Sequence, residues 1–122
     1  RARHGLSGLR ELSQLDRSSS MRAAAIRRCG QFSHTPCGQA FVQPFVSVGY
    51  LRRSGTVGEN LAWGGTTRGS PRATLAAWLG SPEHRANLLR TGWRDCGLAL
   101  ARGRIFGGSA VSLWVLQFGQ RG

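Results

Sequence analysis

The sequence predicts an α+β domain, helices first and a small antiparallel sheet closing the chain. Three observations predict it. Two Ser-Pro steps, Ser70-Pro71 and Ser81-Pro82, have the form of helix starts, with serine as N-cap and proline in the first helical position. An alanine-rich run, Met21 to Ile26, has high helix propensity. Two carboxy-terminal runs, Cys96 to Ala101 and Ser112 to Phe118, are apolar and rich in β-formers, and Gly107-Gly108 separates them. Helices followed by paired strands fit an antiparallel sheet packed against helices.

The elements follow in chain order. Arg1 to Leu9 reads as extended or loop chain. The first helix begins near Ser13, with Ser13 as N-cap and Asp16 favoured by the helix dipole, and Gly30 stops it. Phe32 to Gly38 is irregular, punctuated by Pro36 and Gly38. A short apolar helix is expected from Ala40 to about Val48. Gly55 to Gly58 reads as a turn leading into Glu59-Asn60-Leu61-Ala62-Trp63. The helix after Ser70 carries Leu75, Trp78 and Leu79 as an apolar stripe. The helix after Ser81 carries His84, Asn87 and Leu88 at three- and four-residue spacing. Trp63, Trp78, Trp93 and Trp114 are assigned to the core.

Composition bounds the function. The 122 residues suit one domain, and apolar residues at 40% argue against disorder despite 18 glycines. No run is long enough to span a membrane, and no amino-terminal signal segment is visible. The net charge is +12, carried by 17 arginines and no lysine, a bias that fits a GC-rich coding sequence. Such a surface attracts polyanions of any kind: nucleic acid, acidic lipid or anionic wall polymer. Specific nucleic-acid recognition is not expected. The arginines are scattered, with doublets only at Arg27-Arg28 and Arg52-Arg53, and no nucleic-acid-binding signature is present. Cys29, Cys37 and Cys96 lack zinc-knuckle spacing. One disulfide with a free thiol and three buried thiols both remain open, and the pairing is not legible.

Three segments carry potential chemistry: Phe32-Ser33-His34-Thr35, Gly58 to Trp63, and Ser81 to Leu89. Alone, His34 reads as a loop histidine, Glu59 as a solvated strand end and His84 as a surface histidine. Ser33 has no base and acid in a defensible triad order, so a serine hydrolase is not expected. Asn60 and Asn87 are expected to hydrogen-bond loop backbone.

Together, FSHT, GENLAWG and AAWLGSPEHRANLL, followed by WRDCGLALARG and SLWVLQFG, resemble the CAP superfamily in its bacterial SCP-domain branch. The superfamily groups cysteine-rich secretory, antigen-five and pathogenesis-related proteins. The resemblance runs from His4 to Gly119. It implies a three-layer α-β-α sandwich with a small antiparallel sheet flanked by helices. It also implies a cleft containing His34, Glu59 and His84. The family's second glutamate falls three residues after the helix tryptophan, which here is Ser81, so that acid is missing; Glu83 is the nearest substitute, but in the first turn of a helix it reads first as a dipole-favoured cap or surface residue. His34 and His84 could ligate zinc or another divalent metal, with no organic cofactor, although two protein ligands make a weak site. The resemblance further implies a secreted monomer that binds a lipid, a cell-envelope polymer or another extracellular ligand. The alternative is a metal-assisted cell-wall hydrolase using His34, Glu59 and His84.

Family members usually carry a helix before the segment that opens this chain. A chain about a dozen residues longer at its start is therefore expected to melt at a higher temperature, because apolar surface would gain a cover. Equal thermal midpoints would count against that expectation.

Overall fold

The computed structural model describes residues 1–121. Four strands form one mixed sheet: β1 (Arg10–Glu11), β2 (Gly55–Gly64), β3 (Asp95–Ile105) and β4 (Gly108–Arg121), in the order β1-β3-β4-β2. The long strands β2, β3 and β4 pair antiparallel, as expected. The two-residue β1 adds a parallel edge beside Asp95 and Cys96. The helices are α1 (Ser13–Cys29), α2 (Gln43–Ser47), α3 (Pro71–Leu79) and α4 (Pro82–Leu89).

Alternation along β4 sorts the layers. Val111, Leu113 and Val115 point to one face and pack with Leu61, Ile105 and the α1 residues Ala23 and Ile26. Trp114 and Phe118 point to the other and pack with Trp78 of α3, Leu88 of α4 and Trp93. Successive side chains of a strand alternate faces, so helices on both sides of one sheet give the α-β-α sandwich. A third cluster, Leu15, Phe45 and Tyr50, joins α1 to α2. There the Tyr50 hydroxyl donates to Asp95 at 2.7 Å. Burial, and then that carboxylate, push the phenol above its usual range.

Several sequence expectations shift for physical reasons. The N-cap of α1 is Leu12, not Ser13. The Leu12 N–H still bonds Cys96 of β3, so the chain passes from β1 directly into the helix. Asp16 accepts a hydrogen bond from the Leu98 backbone at 2.9 Å, tying the start of α1 to β3. At the other end Gly30 has φ 62°, and the Gln31 N–H reaches back to the Ile26 carbonyl, closing the helix as a left-handed cap. The helix expected from Ala40 begins at Gln43, because Pro44 lacks a donor and fits only a first turn. Gly55 to Gly58 is strand rather than turn. Every residue from Gly55 to Gly64 has a partner on β4, and that ladder outweighs the weak strand propensity of glycine. Strands β3 and β4 run beyond the expected Cys96–Ala101 and Ser112–Phe118 to a tight hairpin at Phe106 and Gly107, both with positive φ. Trp63 is 48% exposed, so only the other three tryptophans belong to the core.

Cys29 and Cys37 form a disulfide, and Cys96 is a free, half-buried thiol. Burial, with Glu11, Asp16 and Asp95 nearby, pushes that thiol up in pKa, which marks it as inert rather than reactive. The disulfide fastens the irregular segment after α1 to the end of that helix. Loop closure over so short a span contributes about 2–3 kcal/mol. Replacing Cys29 and Cys37 by serine together is therefore expected to lower unfolding stability by about 2 kcal/mol in urea titrations. No change would show that the segment is held by other contacts.

Candidate functional site

Glu59 lies on β2 at the edge of the sheet, on the face that packs against α1. Its side chain is fully buried. Oε2 accepts from Arg22 Nε at 3.0 Å and from Gln117 Nε2 at 2.7 Å. Oε1 lies 2.7 Å from His34 Nδ1. Gln117 is the cross-strand partner of Glu59 on β4, so pairing register brings the two side chains together. Arg22 arrives from α1, where Leu15, Ser19, Arg22 and Ile26 follow helical spacing on the buried face. Its guanidinium also donates to the Phe41 carbonyl and lies 5.3 Å from the Phe41 ring centroid.

A carboxylate can only accept hydrogen bonds, so on the neutral ring the His34 proton sits on Nδ1 and the Nε2 lone pair is free. The His34 side chain is 51% exposed. The site thus turns one buried charge pair into one imidazole nitrogen presented to solvent. Around it lies an open hollow of about 300 Å³ lined by His34, Phe41, Val57, Gly58, Glu59 and Asn87. Gly58 is required there for room: a Cβ would stand 2.8 Å from the Trp93 ring. A larger hollow of about 390 Å³, between Ser70 and Arg102, is lined by no histidine or acid.

His84 does not line the hollow beside His34. It sits on α4, on the opposite face of the sheet from Glu59, with Nδ1 2.9 Å from Ser81 Oγ. Two asparagines span the edge of β2 between them. Asn60 donates to the His84 carbonyl at 3.1 Å, and Asn87 donates to the Glu59 carbonyl at 3.2 Å and to Asn60 Oδ1 at 3.0 Å. Both asparagines bond backbone carbonyls, but these lie on α4 and β2 rather than in a loop as expected. The Ser81 side chain holds His84 instead of capping α4. Glu83 is exposed in the first turn of α4, where the helix dipole favours an acid, and it does not reach the hollow.

Among the described residues no three His, Cys, Asp or Glu side chains are grouped to hold a metal ion. His34 and His84 do not line one hollow, and the one acid beside His34 is taken up by Arg22, Gln117 and the His34 ring itself, so no shared donor set for a resident metal is assembled.

Arg22, Gln117 and Phe41 were not anticipated. Arg22 left a trace in the sequence, as a charged residue on the apolar stripe of α1. Gln117 left a fainter one, as a polar residue in phase with Leu113 and Val115. Phe41 left none.

The family model described as cysteine-rich secretory protein family matches residues 1–118. An outer surface protein from Borrelia burgdorferi superposes with TM-score 0.79 at 22% identity, over 100% of this chain and 84% of that one. An extracellular protein containing a SCP domain from Bacillus anthracis superposes with TM-score 0.79 at 20% identity, over 99% of this chain and 36% of that one. At these identities the likeness speaks for the fold alone. No curated protein matches significantly.

Removing one partner of a buried ion pair costs about 3–5 kcal/mol, because the other charge stays buried. Arg22→Met is therefore expected to destabilise by that amount in denaturant titrations. His34→Ala, at a half-exposed position, is expected to cost less than about 1 kcal/mol. Equal losses for the two variants would contradict the assignment of Arg22 as the charge that holds Glu59.

Proposed function

The chain belongs to the cysteine-rich secretory protein (CAP) family, and from there we propose that it is a secreted, monomeric binding module for a lipid or cell-envelope ligand. Its recognition site is the hollow at His34, and His84 on α4 lies outside that hollow. A neutral His34 offers Nε2 as an acceptor to a ligand hydroxyl, and a protonated ring offers a cation to a phosphate. Phe41 and Val57 supply apolar wall, and the +12 net charge draws anionic material to the surface. The Cys29–Cys37 disulfide suits an oxidising compartment. Among the described residues no helix is long and apolar enough to cross a membrane.

One observation carries the choice of binding over hydrolysis. Glu59 is fully buried, and both of its oxygens are occupied by Arg22, Gln117 and His34. A general base must reach a water with a free lone pair. Here the carboxylate orients the imidazole, and no second acid lines the hollow to share acid and base roles.

The test is incubation with purified cell wall, with and without added zinc, comparing wild type with His34→Ala. Saturable binding that weakens in the variant, with no soluble fragments released, is expected. Release of fragments that disappears in His34→Ala would instead establish the cell-wall hydrolase.

A further inference from the structure

At the end of α1 three aromatic rings meet at the margin of the core: Phe106 is half-buried and packs against the α1-side cluster, while Phe32 and Trp63 lie exposed beside it. Phe106, at the tip of the β3–β4 hairpin, has its ring centroid 5.0 Å from that of Trp63 and 6.0 Å from that of Phe32. Trp63 is 48% and Phe32 45% exposed. Phe106 holds φ 52°, a left-handed conformation that bulky residues rarely adopt, in a turn position where asparagine or glycine would sit without strain. The sequence thus keeps a phenylalanine at the tip against local preference. Two adjacent exposed rings backed by a third offer a contact surface.

Charge around this tip has one sign. Arg27 and Arg28 are exposed in the last turn of α1, and the Arg27 guanidinium lies over Gly103 of β3. Arg104 is exposed two residues before Phe106. The chain's five acids all lie elsewhere. Glu11, Asp16 and Asp95 gather near the start of α1. A helix of 17 residues separates that end from the tip by about 25 Å. Glu83 is on α4 across the sheet, and Glu59 is buried.

We propose that this aromatic and arginine tip docks the domain onto an anionic bilayer surface, with the exposed Phe32 and Trp63, backed by Phe106, entering the headgroup layer and Arg27, Arg28 and Arg104 contacting lipid phosphates. Aromatic rings favour that interface, and each arginine near an anionic leaflet adds to the attraction. The ring geometry separates a bilayer from a sugar or nucleic-acid polymer. Interplanar angles of 58° and 81° make a wedge, whereas stacking on sugars or bases needs an exposed flat platform. The inference is independent of the hollow at His34, since it uses other side chains and another readout.

The experiment is co-sedimentation with vesicles of phosphatidylcholine, with and without phosphatidylglycerol. Binding is expected only with the anionic lipid. Arg27→Gln with Arg28→Gln should weaken it about fivefold per arginine. The matched doublet Arg52→Gln with Arg53→Gln, which lies away from the tip, should change it less than about twofold. Phe32→Ser with Trp63→Ser should weaken it at least about tenfold, measured well below the variant's own thermal midpoint. In the parent protein, brominated lipid should quench tryptophan emission, and Trp63→Phe should abolish the quenching, a readout that does not depend on the serine variant folding. Equal losses from the two arginine doublets, absence of quenching, or binding to soluble dextran sulfate but not to anionic vesicles would each overturn the proposal.

Discussion

The buried pair of Glu59 and Arg22 is the constraint around which the rest is arranged. Neither side chain touches solvent. Withdrawing two ions from water is tolerable only when geometry and additional hydrogen bonds compensate. Here Gln117 and the Phe41 carbonyl take up further bonds, and His34 takes the remaining carboxylate oxygen. The pair joins the three parts that must agree for the domain to form: helix α1, edge strand β2 and central strand β4. A one-residue slip of β2 against β4 would turn Glu59 to the other face and leave Arg22 buried without a partner, so the pair also specifies register. Polar atoms of Ser18, Ser19, Arg22 and Gln117 remain without a protein partner in the same region. The α1 face of the sheet is thus partly a polar core, held by charge as much as by apolar packing.

That arrangement explains why the site sits at the edge of the sheet. Strand β2 has β4 on one side only, so the loop after α1 and helix α4 can approach its free edge from opposite faces. His34 reaches Glu59 from one face, while Asn87 and the His84 carbonyl approach Glu59 and Asn60 from the other. The disulfide pins the loop that carries His34, and Gly58 leaves room for Trp93 to press against the strand. The two histidines are therefore coupled through backbone and asparagines rather than through a shared ion. One presents a ring nitrogen to the hollow, and the other braces the helix beside it.

Much of this was legible in the sequence. Helices α1, α3 and α4 and the closing hairpin announced themselves through glycine and proline punctuation and through periodicity. The motifs around His34, Glu59 and His84 placed those residues in neighbouring segments. What local reading missed arises from non-local pairing. Gly55 to Gly58 resembles a turn until β4 supplies partners for every residue. Ser13 resembles a cap until the Leu12 N–H is seen bonded to Cys96, which makes Leu12 the last residue before the helix. Trp63 resembles a core residue by type, yet it lies past the end of α1, where no helix covers it. Above all, nothing near Glu59 in the chain signals that Arg22 and Gln117 saturate it. A carboxylate that reads as solvated or catalytic becomes an orienting group only when three distant segments converge.

The central claim is that Glu59 is a buried acceptor that fixes the His34 ring and leaves Nε2 to the ligand. Nitrogen-15 NMR of the His34 side chain tests it most directly. The account predicts that the neutral ring carries its proton on Nδ1 in the parent protein, and that this preference is lost in Glu59→Gln. A neutral ring protonated on Nε2, or a tautomer indifferent to Glu59, would contradict it.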